Sequence, residues 1–499
     1  MDDAHIKTDA GGAVTLKETA LKAFQLTLSG RLLTQGSPEY DEARTIWNAM
    51  IDRRPALIVR CLTADDVAKS VRLAAQHQVV LAIRGGGHGI AGNAVCDGGL
   101  MIDLSQMKAV KVDADRKTAR VEAGATLGDF DREAQAFGLA TPLGINSTTG
   151  VAGLTLGGGF GWLSRSLGLS IDNLISAEVV TADGERVTAS ESEHPDLFWA
   201  IRGGGGNFGV VTSFEFRLHK VGPEVLSGLI VHPLAAARDV LRFYRDFIAS
   251  TPEELVCWFV MRKAPPLPFL PPEWHGKEIL ALAMCYSGSI ADGERVAKPL
   301  RSFGKPIADV VAPHPFAAWQ TILDPLLTPG ARNYWKSHDF HELSDGLIDV
   351  LIDAAGTLPD PQTEIASLVL GRAWSLVPGQ RQGPEDQGRT KDRRTKNQGP
   401  IPPKPRSGEQ EASRMGRPNF ATRSSTKRFS ARSRRPRTTS CTRRRASRGR
   451  ARLCLPIVDA LDHDDRRRNR RDRRENLALR VPRVLRCTLL QVDAAHQGR

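Results

Sequence analysis

Three clusters of glycine constrain the fold of this chain more than any other feature of its sequence. The first, Arg84-Gly85-Gly86-Gly87-His88-Gly89, directly follows an apolar run at residues 79–83. The other two lie at residues 157–161 and 203–209. Because glycine has no side chain, such segments let the backbone approach another group closely. The clusters therefore predict three loops that form the walls of one groove for a phosphate-bearing cofactor, with His88 as its reactive anchor.

The pattern before the first cluster predicts a βαβ unit. Residues 55–61 and 79–84 have the composition of buried strands, and the segment between them has an apolar face at helical spacing. Thr63 is the predicted N-cap of that helix. Asp65 and Asp66 lie in its first turn, where acidic side chains interact favourably with the helix dipole. The first glycine loop is thus expected at the C-terminal end of a strand.

The third cluster matches the dinucleotide pattern at Gly204, Gly206 and Gly209. A Rossmann loop follows a strand and opens a helix. Here the loop follows a predicted helix at residues 196–202 and opens an alternating strand at residues 210–216. The pattern therefore argues against a Rossmann site, although the backbone amides of such a loop can still bind a pyrophosphate.

From about residue 223 the pattern changes to longer strands. These are predicted at residues 226–232, 254–261 and 278–286, with helices at 234–250 and 292–302. Together these longer strands and two helices predict a second α+β domain with an antiparallel sheet. The predicted fold class of the whole chain is α+β.

Composition divides the chain near residue 375. The formal net charge is +13, but residues 381–499 carry 34 Lys and Arg against 12 Asp and Glu, about +22, which leaves about −9 for residues 1–380. All eight Trp and all four Tyr lie at or before residue 374. A chain so charged and without an apolar face cannot offset its ordering entropy, so the tail is predicted to be disordered. Its arginines would bind nucleic acid only nonspecifically.

The remaining bulk features favour a cytoplasmic location. The N-terminus has no basic segment followed by an apolar run, and no stretch approaches the roughly 18 apolar residues of a membrane span. Seven cysteines at wide spacings form neither a CxxC motif nor a regular framework. Neither a metal site nor a membrane partner is therefore predicted.

Taken together, the motifs resemble the FAD-binding domain of the vanillyl-alcohol-oxidase type, also called PCMH-type, and in particular the berberine-bridge-enzyme-like oxidoreductases. The resemblance rests on the segment from Arg84 to Gly89 and on Met101-Ile102-Asp103-Leu104-Ser105. It continues through residues 148–162, 172–174, 180–184 and 202–211.

The resemblance implies a division of the chain into four parts. Residues 1–49 would be an N-terminal lead-in that is loose apart from one helix, and residues 50–222 a PCMH-type FAD-binding domain of two α/β subdomains. Residues 223–374 would be an incomplete substrate domain with an antiparallel sheet, and residues 375–499 an Arg-rich tail that does not match the family. A reading-frame shift near residues 373–380 is our hypothesis for that tail.

The resemblance also implies FAD as the cofactor, with His88 joined covalently to the flavin 8-methyl carbon. Asn146 occupies the position at which many relatives carry a second, cysteinyl tether, so only the histidyl tether is expected. The implied cofactor-binding residues are Arg84, Gly85, Gly86, Gly87, His88, Gly89, Thr148, Thr149, Gly150, Gly153, Gly157, Gly158, Gly159, Gly161, Trp162, Gly209 and Val211.

The implied reaction is hydride transfer from a carbon of an alcohol, sugar or secondary metabolite to the flavin, which oxygen or another acceptor reoxidises. The catalytic base is open. Tyr334 is the candidate, in an aromatic segment that either lines a pocket or is ordinary core and surface. Two alternatives remain: an inactive flavin-binding remnant, and a nonspecific nucleic-acid binder acting through the tail.

Overall fold

The computed structural model describes residues 2–370 and 486–494. Within these residues the strands are β1 (Ala4–Lys7), β2 (Ala13–Leu16), β3 (Arg31–Leu33), β4 (Leu57–Arg60), β5 (Leu81–Arg84), β6 (Leu100–Asp103), β7 (Val110–Asp113), β8 (Thr118–Glu122), β9 (Leu139–Ala140), β10 (Leu174–Val180), β11 (Arg186–Ser190), β12 (Val210–Arg217), β13 (His219–Lys220), β14 (Glu224–Pro233), β15 (Leu255–Lys263), β16 (Glu278–Tyr286), β17 (Ala308–Asp309), β18 (Ala312–Pro315), β19 (Asn333–Phe340), β20 (Glu364–Leu370) and β21 (Arg486–Ala494).

The α-helices of the same residues are α1 (Glu18–Thr27), α2 (Tyr40–Arg44), α3 (Ala64–His77), α4 (Leu127–Gln135), α5 (Val151–Leu156), α6 (Ser164–Leu167), α7 (Pro195–Ile201), α8 (Ala237–Ser250), α9 (Ile290–Ser302), α10 (Phe316–Trp319) and α11 (Asp345–Ala355). Short 3-10 helices occur at Ser170–Asn173, Leu234–Ala236 and Pro272–Trp274.

The predicted βαβ unit is present as β4, α3 and β5. Both strands pair in parallel with β6, so the sheet order is β3-β4-β6-β5. Thr63 caps α3, because its hydroxyl accepts from the Asp66 N–H at 3.2 Å. The first glycine loop leaves the C-terminal end of β5, as the sequence predicts.

The N-terminal segment has more structure than the loose lead-in with one helix that the sequence suggests. Strands β1 and β2 form an antiparallel hairpin, and β3 adds an edge to the first sheet. Ile6, Leu16 and Leu21 are buried in the same core as the βαβ unit. These apolar side chains are too widely spaced to give a local periodicity. Only their tertiary contacts therefore show that they belong to the core.

A second sheet packs on the same core. Its order is β11-β10-β12-β8-β7, and all its pairings are antiparallel. The third glycine cluster connects α7 to β12, so it opens a strand rather than a helix, as predicted. The first half of the described chain thus consists of two α/β subdomains around one apolar core.

The second half is built on an eight-stranded antiparallel sheet of order β17-β14-β16-β15-β20-β21-β19, with β18 also pairing with β14. One face of this sheet packs on α8, α9 and α11 through a continuous apolar cluster. The predicted Arg-rich tail lies outside the described residues except for β21. That strand pairs with β20 on one side and β19 on the other.

A buried arginine joins the two halves. Arg165 of α6 is 5% exposed. Its terminal nitrogens donate five hydrogen bonds of 2.6–3.2 Å, to Ile248 O, Thr251 O, Thr251 Oγ1, Pro252 O and Leu255 O. These acceptors lie at and just after the C-terminal end of α8, where a cation is also favoured by the helix dipole.

An aromatic cluster lies at the same boundary. The ring of Trp162 lies 5.6 Å from that of Trp258 on β15 and 5.1 Å from that of Trp319 on α10. All three side chains are buried. The apolar contact and the arginine hydrogen bonds together fix the second sheet against the glycine-rich subdomains.

Four cysteines are free thiols in the part of the chain whose side chains are described. Cys61, Cys96, Cys257 and Cys285 are all buried. Burial raises the pKa of each thiol, to about 11 for Cys96 and further for the others. Among the described residues, no helix is both long and apolar enough to cross a membrane.

We expect Arg165→Met to lower the free energy of unfolding by about 3 kcal/mol, because it leaves several buried carbonyls without a donor while keeping the apolar stem. Urea unfolding followed by tryptophan fluorescence measures the change. Arg116→Met, at an exposed position, is the matched control. Equal stabilities of the two variants would show that Arg165 does not hold the halves together.

Candidate functional site

A cavity of about 370 Å³ lies between the glycine loops and the eight-stranded sheet. Its two walls differ, since one contains four glycines among its lining residues and the other consists mainly of aliphatic and aromatic side chains. Trp47 and Trp335 lie at its border, and a connecting segment at residues 320–331 covers part of it.

The glycine wall is held by one very close approach of two loops. A Cβ on Gly86 would lie 2.4 Å from Gly150 N, and a Cβ on Gly150 would lie 2.4 Å from Gly86 N. No side chain fits at either position, so the first and second glycine loops touch backbone to backbone. The residues of this wall that line the cavity are His88, Gly144, Ile145, Asn146, Thr149, Leu154, Gly157, Gly158, Gly159, Phe160 and Leu169.

Two contacts hold the His88 ring, one on its face and one at Nε2. The Trp47 ring stacks on it with centroids 4.7 Å apart and planes 23° apart. Its Nε2 lies 2.8 Å from Thr148 Oγ1. Burial lowers the pKa of His88 to about 4, against a weak opposite effect of Asp324. The imidazole is therefore neutral at physiological pH.

The hydrogen bonds around Thr148 determine which imidazole nitrogen carries the proton. Asn146 Oδ1 accepts from Thr148 N at 3.1 Å and from Thr148 Oγ1 at 2.5 Å. A hydroxyl has one hydrogen, so Thr148 Oγ1 must accept from His88 rather than donate to it. His88 thus has its proton on Nε2. Its Nδ1 keeps a lone pair and makes no hydrogen bond within the described part of the chain.

The sheet wall is formed by the face opposite to the helices. Residues at alternate positions of four neighbouring strands point to the cavity, as the two-residue period of a strand requires. They are Leu229 and Val231 of β14, Trp258, Val260 and Arg262 of β15, Ile279, Ala281 and Ala283 of β16, and Glu364 and Ala366 of β20. The loop after β15 adds Pro265, Leu267, Phe269 and Leu270.

Arg262 and Glu364 are the charged residues of this wall, directly opposite each other on β15 and β20. Arg262 Nη1 donates to Glu364 Oε2 at 2.6 Å, and Nη2 donates to Pro361 O at 2.9 Å. Burial raises the pKa of Glu364, and the Arg262 guanidinium opposes that effect. Burial is the larger effect on the pKa of Glu364, and the charge-assisted bond to Arg262 favours the ionised form against it.

The segment at residues 320–331, which covers part of the cavity, is hydrogen-bonded to the glycine wall and to Trp47. Leu323, Leu326 and Leu327 line the cavity. Asp324 accepts hydrogen bonds from the backbone and hydroxyl of Ser147, and Leu327 O accepts from Trp47 Nε1 at 3.2 Å.

A buried carboxyl group anchors the start of this cover. Gln320 Nε2 donates to Asp131 Oδ2 at 2.9 Å. Asp131 is 2% exposed, and its Oδ1 has no partner among the described residues. Burial raises the pKa of Asp131 to about 7.

The structure brings only some of the sequence-predicted site residues to this cavity. His88, Thr149, Gly157, Gly158 and Gly159 line it, and Thr148 binds His88 from behind. The other predicted residues do not line it, and their role as cofactor contacts stays a prediction: Arg84, Gly85, Gly86, Gly87, Gly89, Gly150, Gly153, Gly161, Trp162, Gly209 and Val211.

Several of these residues have an evident packing role. Arg84 donates to Ala43 O, and a Cβ on Gly161 would lie 2.0 Å from Leu143 O. Gly209 has a φ of +133°, and a Cβ there would lie 2.6 Å from Val180 O. Val211 is buried in the core of the second sheet.

Tyr334, the candidate base, does not line the cavity, whereas its neighbour Trp335 does. Successive residues of a strand point to opposite faces, so β19 directs Trp335 inwards and leaves Tyr334 46% exposed. The Tyr334 ring lies 5.8 Å from Lys336 Nζ. Its role as a base stays a prediction of the sequence alone.

Sequence reasoning missed Trp47, Arg262 and Glu364. Trp47 lies in a polar segment, where nothing local indicates a partner. Glu364 begins an apolar strand, where a glutamate usually indicates the solvent-facing end. The signal that could have found them is a pair of opposite charges, Arg262 and Glu364, at paired positions of two neighbouring apolar strands. This pairing can be recognised only once the register of the two strands is known.

Comparison with known proteins agrees with this geometry. A family described as "FAD binding domain" matches residues 55–190. An FAD-linked oxidoreductase of Dictyostelium discoideum is 35% identical over 352 residues, which are 70% of this chain and 74% of that protein.

Two solved structures are similar over most of the described chain. 6-Hydroxy-D-nicotine oxidase of Arthrobacter nicotinovorans has a TM-score of 0.64 at 27% identity, covering 70% of this chain and 77% of that one. Glucooligosaccharide oxidase of Acremonium strictum, with a 6-S-cysteinyl, 8α-N1-histidyl FAD, has a TM-score of 0.60 at 26% identity, covering 70% of this chain and 74% of that one.

We expect the stability of the protein to depend on pH through Asp131. Its pKa is raised in the folded state, so the folded protein binds more protons than the unfolded one between about pH 4 and 7. Stability from this group therefore falls as the pH rises through that window, by about 1.4 kcal/mol per pH unit. The free energy of unfolding of Asp131→Asn, relative to that of wild type, should therefore increase by roughly 3 kcal/mol between pH 5 and pH 8.

Urea unfolding of wild type and Asp131→Asn at pH 5, 6, 7 and 8 would measure this difference. Asp115→Asn, at an exposed position, is the control and should follow wild type. A constant difference between Asp131→Asn and wild type at all four pH values would contradict the raised pKa.

Proposed function

Because the chain belongs to the berberine-bridge-enzyme-like family of FAD-linked oxidoreductases, we propose that His88 binds FAD covalently through Nδ1 and that the cavity holds a small organic substrate. The substrate carbon would give its hydride to the bound FAD, and its hydroxyl or amine would give a proton to a base or to solvent, which would leave a carbonyl or an imine. Oxygen or another acceptor then takes the two electrons.

The observation that carries this proposal is the free lone pair of His88 Nδ1. A covalent bond to the flavin needs a neutral imidazole nitrogen, and the low pKa of His88 together with the Thr148 contact supplies one. The N1-histidyl linkage of glucooligosaccharide oxidase uses the corresponding ring nitrogen. The single tether agrees with Asn146, which has no thiol to form a cysteinyl bond.

The residues of the cavity fit a flavin. Gly157, Gly158 and Gly159 form a stretch of the wall without side chains, and the apolar sheet lies opposite, so a flat ring system can be enclosed between them. Gly158 and Gly159 have φ values of +112° and +73°, which glycine adopts without strain. When bound, FAD supplies the two-electron chemistry that no protein side chain provides.

The chain's own residues orient the imidazole and exclude water. Trp47 holds the His88 ring by stacking, and Thr148 fixes its tautomer. Leu323, Leu326 and Leu327 cover the cavity with aliphatic side chains, which keeps the reacting carbon away from bulk water. Removing water strengthens every polar contact made inside.

The covalent bond can be tested with His88→Ala. We expect the wild-type protein to keep its yellow colour in the pellet after acid precipitation, because an imidazole–carbon bond survives unfolding. His88→Ala should release all flavin into the supernatant, whereas His5→Ala, a change at an exposed histidine, should behave as wild type. Flavin retained in the His88→Ala pellet would place the bond on another residue.

The role of Asn146 gives a second test, with FAD added to protein from a riboflavin-starved host. Asn146→Leu frees the Thr148 hydroxyl to donate to Nε2, which moves the proton to Nδ1. Attachment should then slow roughly five-fold, the effect of about 1 kcal/mol. Asn146→Asp keeps both acceptor bonds and should attach FAD faster than Asn146→Leu. Equal rates in these two variants would exclude control by the tautomer.

A further inference from the structure

One oxygen atom distinguishes the sheet wall from an ordinary apolar surface. Glu364 Oε2 binds Arg262, but Oε1 makes no hydrogen bond to any residue described by the structure. The Glu364 side chain keeps 17% of its surface exposed, and it lines the cavity. A carboxyl oxygen that has no partner and belongs to a cavity-lining side chain can accept a hydrogen bond from a bound molecule.

Small apolar side chains surround Glu364 on the sheet. Val260 lies two residues before Arg262 on the same face of β15, and Ala366 lies two residues after Glu364 on β20. Ala281 and Ala283 continue this face on β16. The small side chains leave room above the sheet, so the wall offers space for an apolar molecule beside one unpaired carboxyl oxygen.

We infer that the cavity selects an apolar ring compound with one hydrogen-bond donor, a hydroxyl or an amine N–H, which Glu364 Oε1 accepts. This inference rests on the proposed function, because it describes the substrate of the same site. The similar proteins include both a nicotine derivative oxidase and an oligosaccharide oxidase, so likeness alone does not decide between the two kinds of substrate.

The sheet wall decides against a sugar. A sugar ring carries a hydroxyl on most of its carbons, and each buried hydroxyl without a partner costs about 1–3 kcal/mol. Leu229, Val231, Val260 and Ile279 offer no partner. Arg262 has only donors, and it directs one hydrogen of each terminal nitrogen within the protein, to Glu364 and Pro361, so it cannot accept from a sugar hydroxyl. One donor can be satisfied at this wall, but a ring of donors cannot.

The test uses matched probes on the purified holoprotein. We would measure the quenching of tryptophan fluorescence by 4-methylbenzyl alcohol, by its methyl ether and by xylobiose, because Trp47, Trp258 and Trp335 border the cavity. The alcohol should bind about ten-fold more tightly than the ether, which keeps the ring but lacks the donor. Xylobiose should not displace the alcohol.

Glu364→Gln then assigns the effect to the carboxylate. The amide keeps the shape but loses the charge, so affinity for the alcohol should fall about ten-fold while affinity for the ether stays the same. Glu278→Gln is the matched control, a glutamate of the same sheet that lies outside the cavity lining.

Two results would overturn the inference: equal affinities for the alcohol and the ether, or xylobiose binding that equals that of the alcohol. Either would leave the histidyl flavin untouched, since that bond is read from the acid pellet. Conversely, a colourless pellet would sink the covalent tether, and the ratio of the alcohol and ether affinities would still be read from the tryptophans.

Discussion

The contact between Gly86 and Gly150 is the constraint on which the rest of the site depends. Two loops that are far apart in sequence meet there at a distance that allows no side chain on either one. The contact brings Thr148 to within hydrogen-bond distance of His88. Asn146, two residues earlier, then sets the hydroxyl of Thr148 and through it the tautomer of the imidazole. The position of the proton on the His88 ring thus depends on a backbone approach that only glycine permits.

The second wall depends on a different kind of interaction. Arg165 satisfies the carbonyls at the end of α8, and Trp162 packs between Trp258 and Trp319. These contacts fix the antiparallel sheet opposite the glycine loops, so the cavity lies between a glycine-rich wall and an apolar sheet. Our proposal places the flavin and its substrate between these two walls, which would supply their binding and orientation.

Local patterns in the sequence predicted much of the fold. The βαβ unit, the cap at Thr63, the position of the loop before His88 and the antiparallel second sheet all follow from periodicity and glycine placement. The pairing of Glu364 with Arg262 does not, because it depends on the register of β15 and β20. Nor does the stack of Trp47 on His88, which relies on a segment about 280 residues further along the chain. Tyr334 and Trp335 show the same limit, since strand alternation separates them but their composition does not say which one faces inwards.

The burial of the cysteines has a chemical consequence for an enzyme of this kind. If oxygen accepts the electrons, every turnover releases hydrogen peroxide, which oxidises thiolates far faster than thiols. Cys61, Cys96, Cys257 and Cys285 are enclosed and kept protonated by their raised pKa values. Met50 is 41% exposed, and a thioether needs no deprotonation to form a sulfoxide. Among the described residues, hydrogen peroxide would therefore oxidise the exposed Met50 before the buried cysteine thiols.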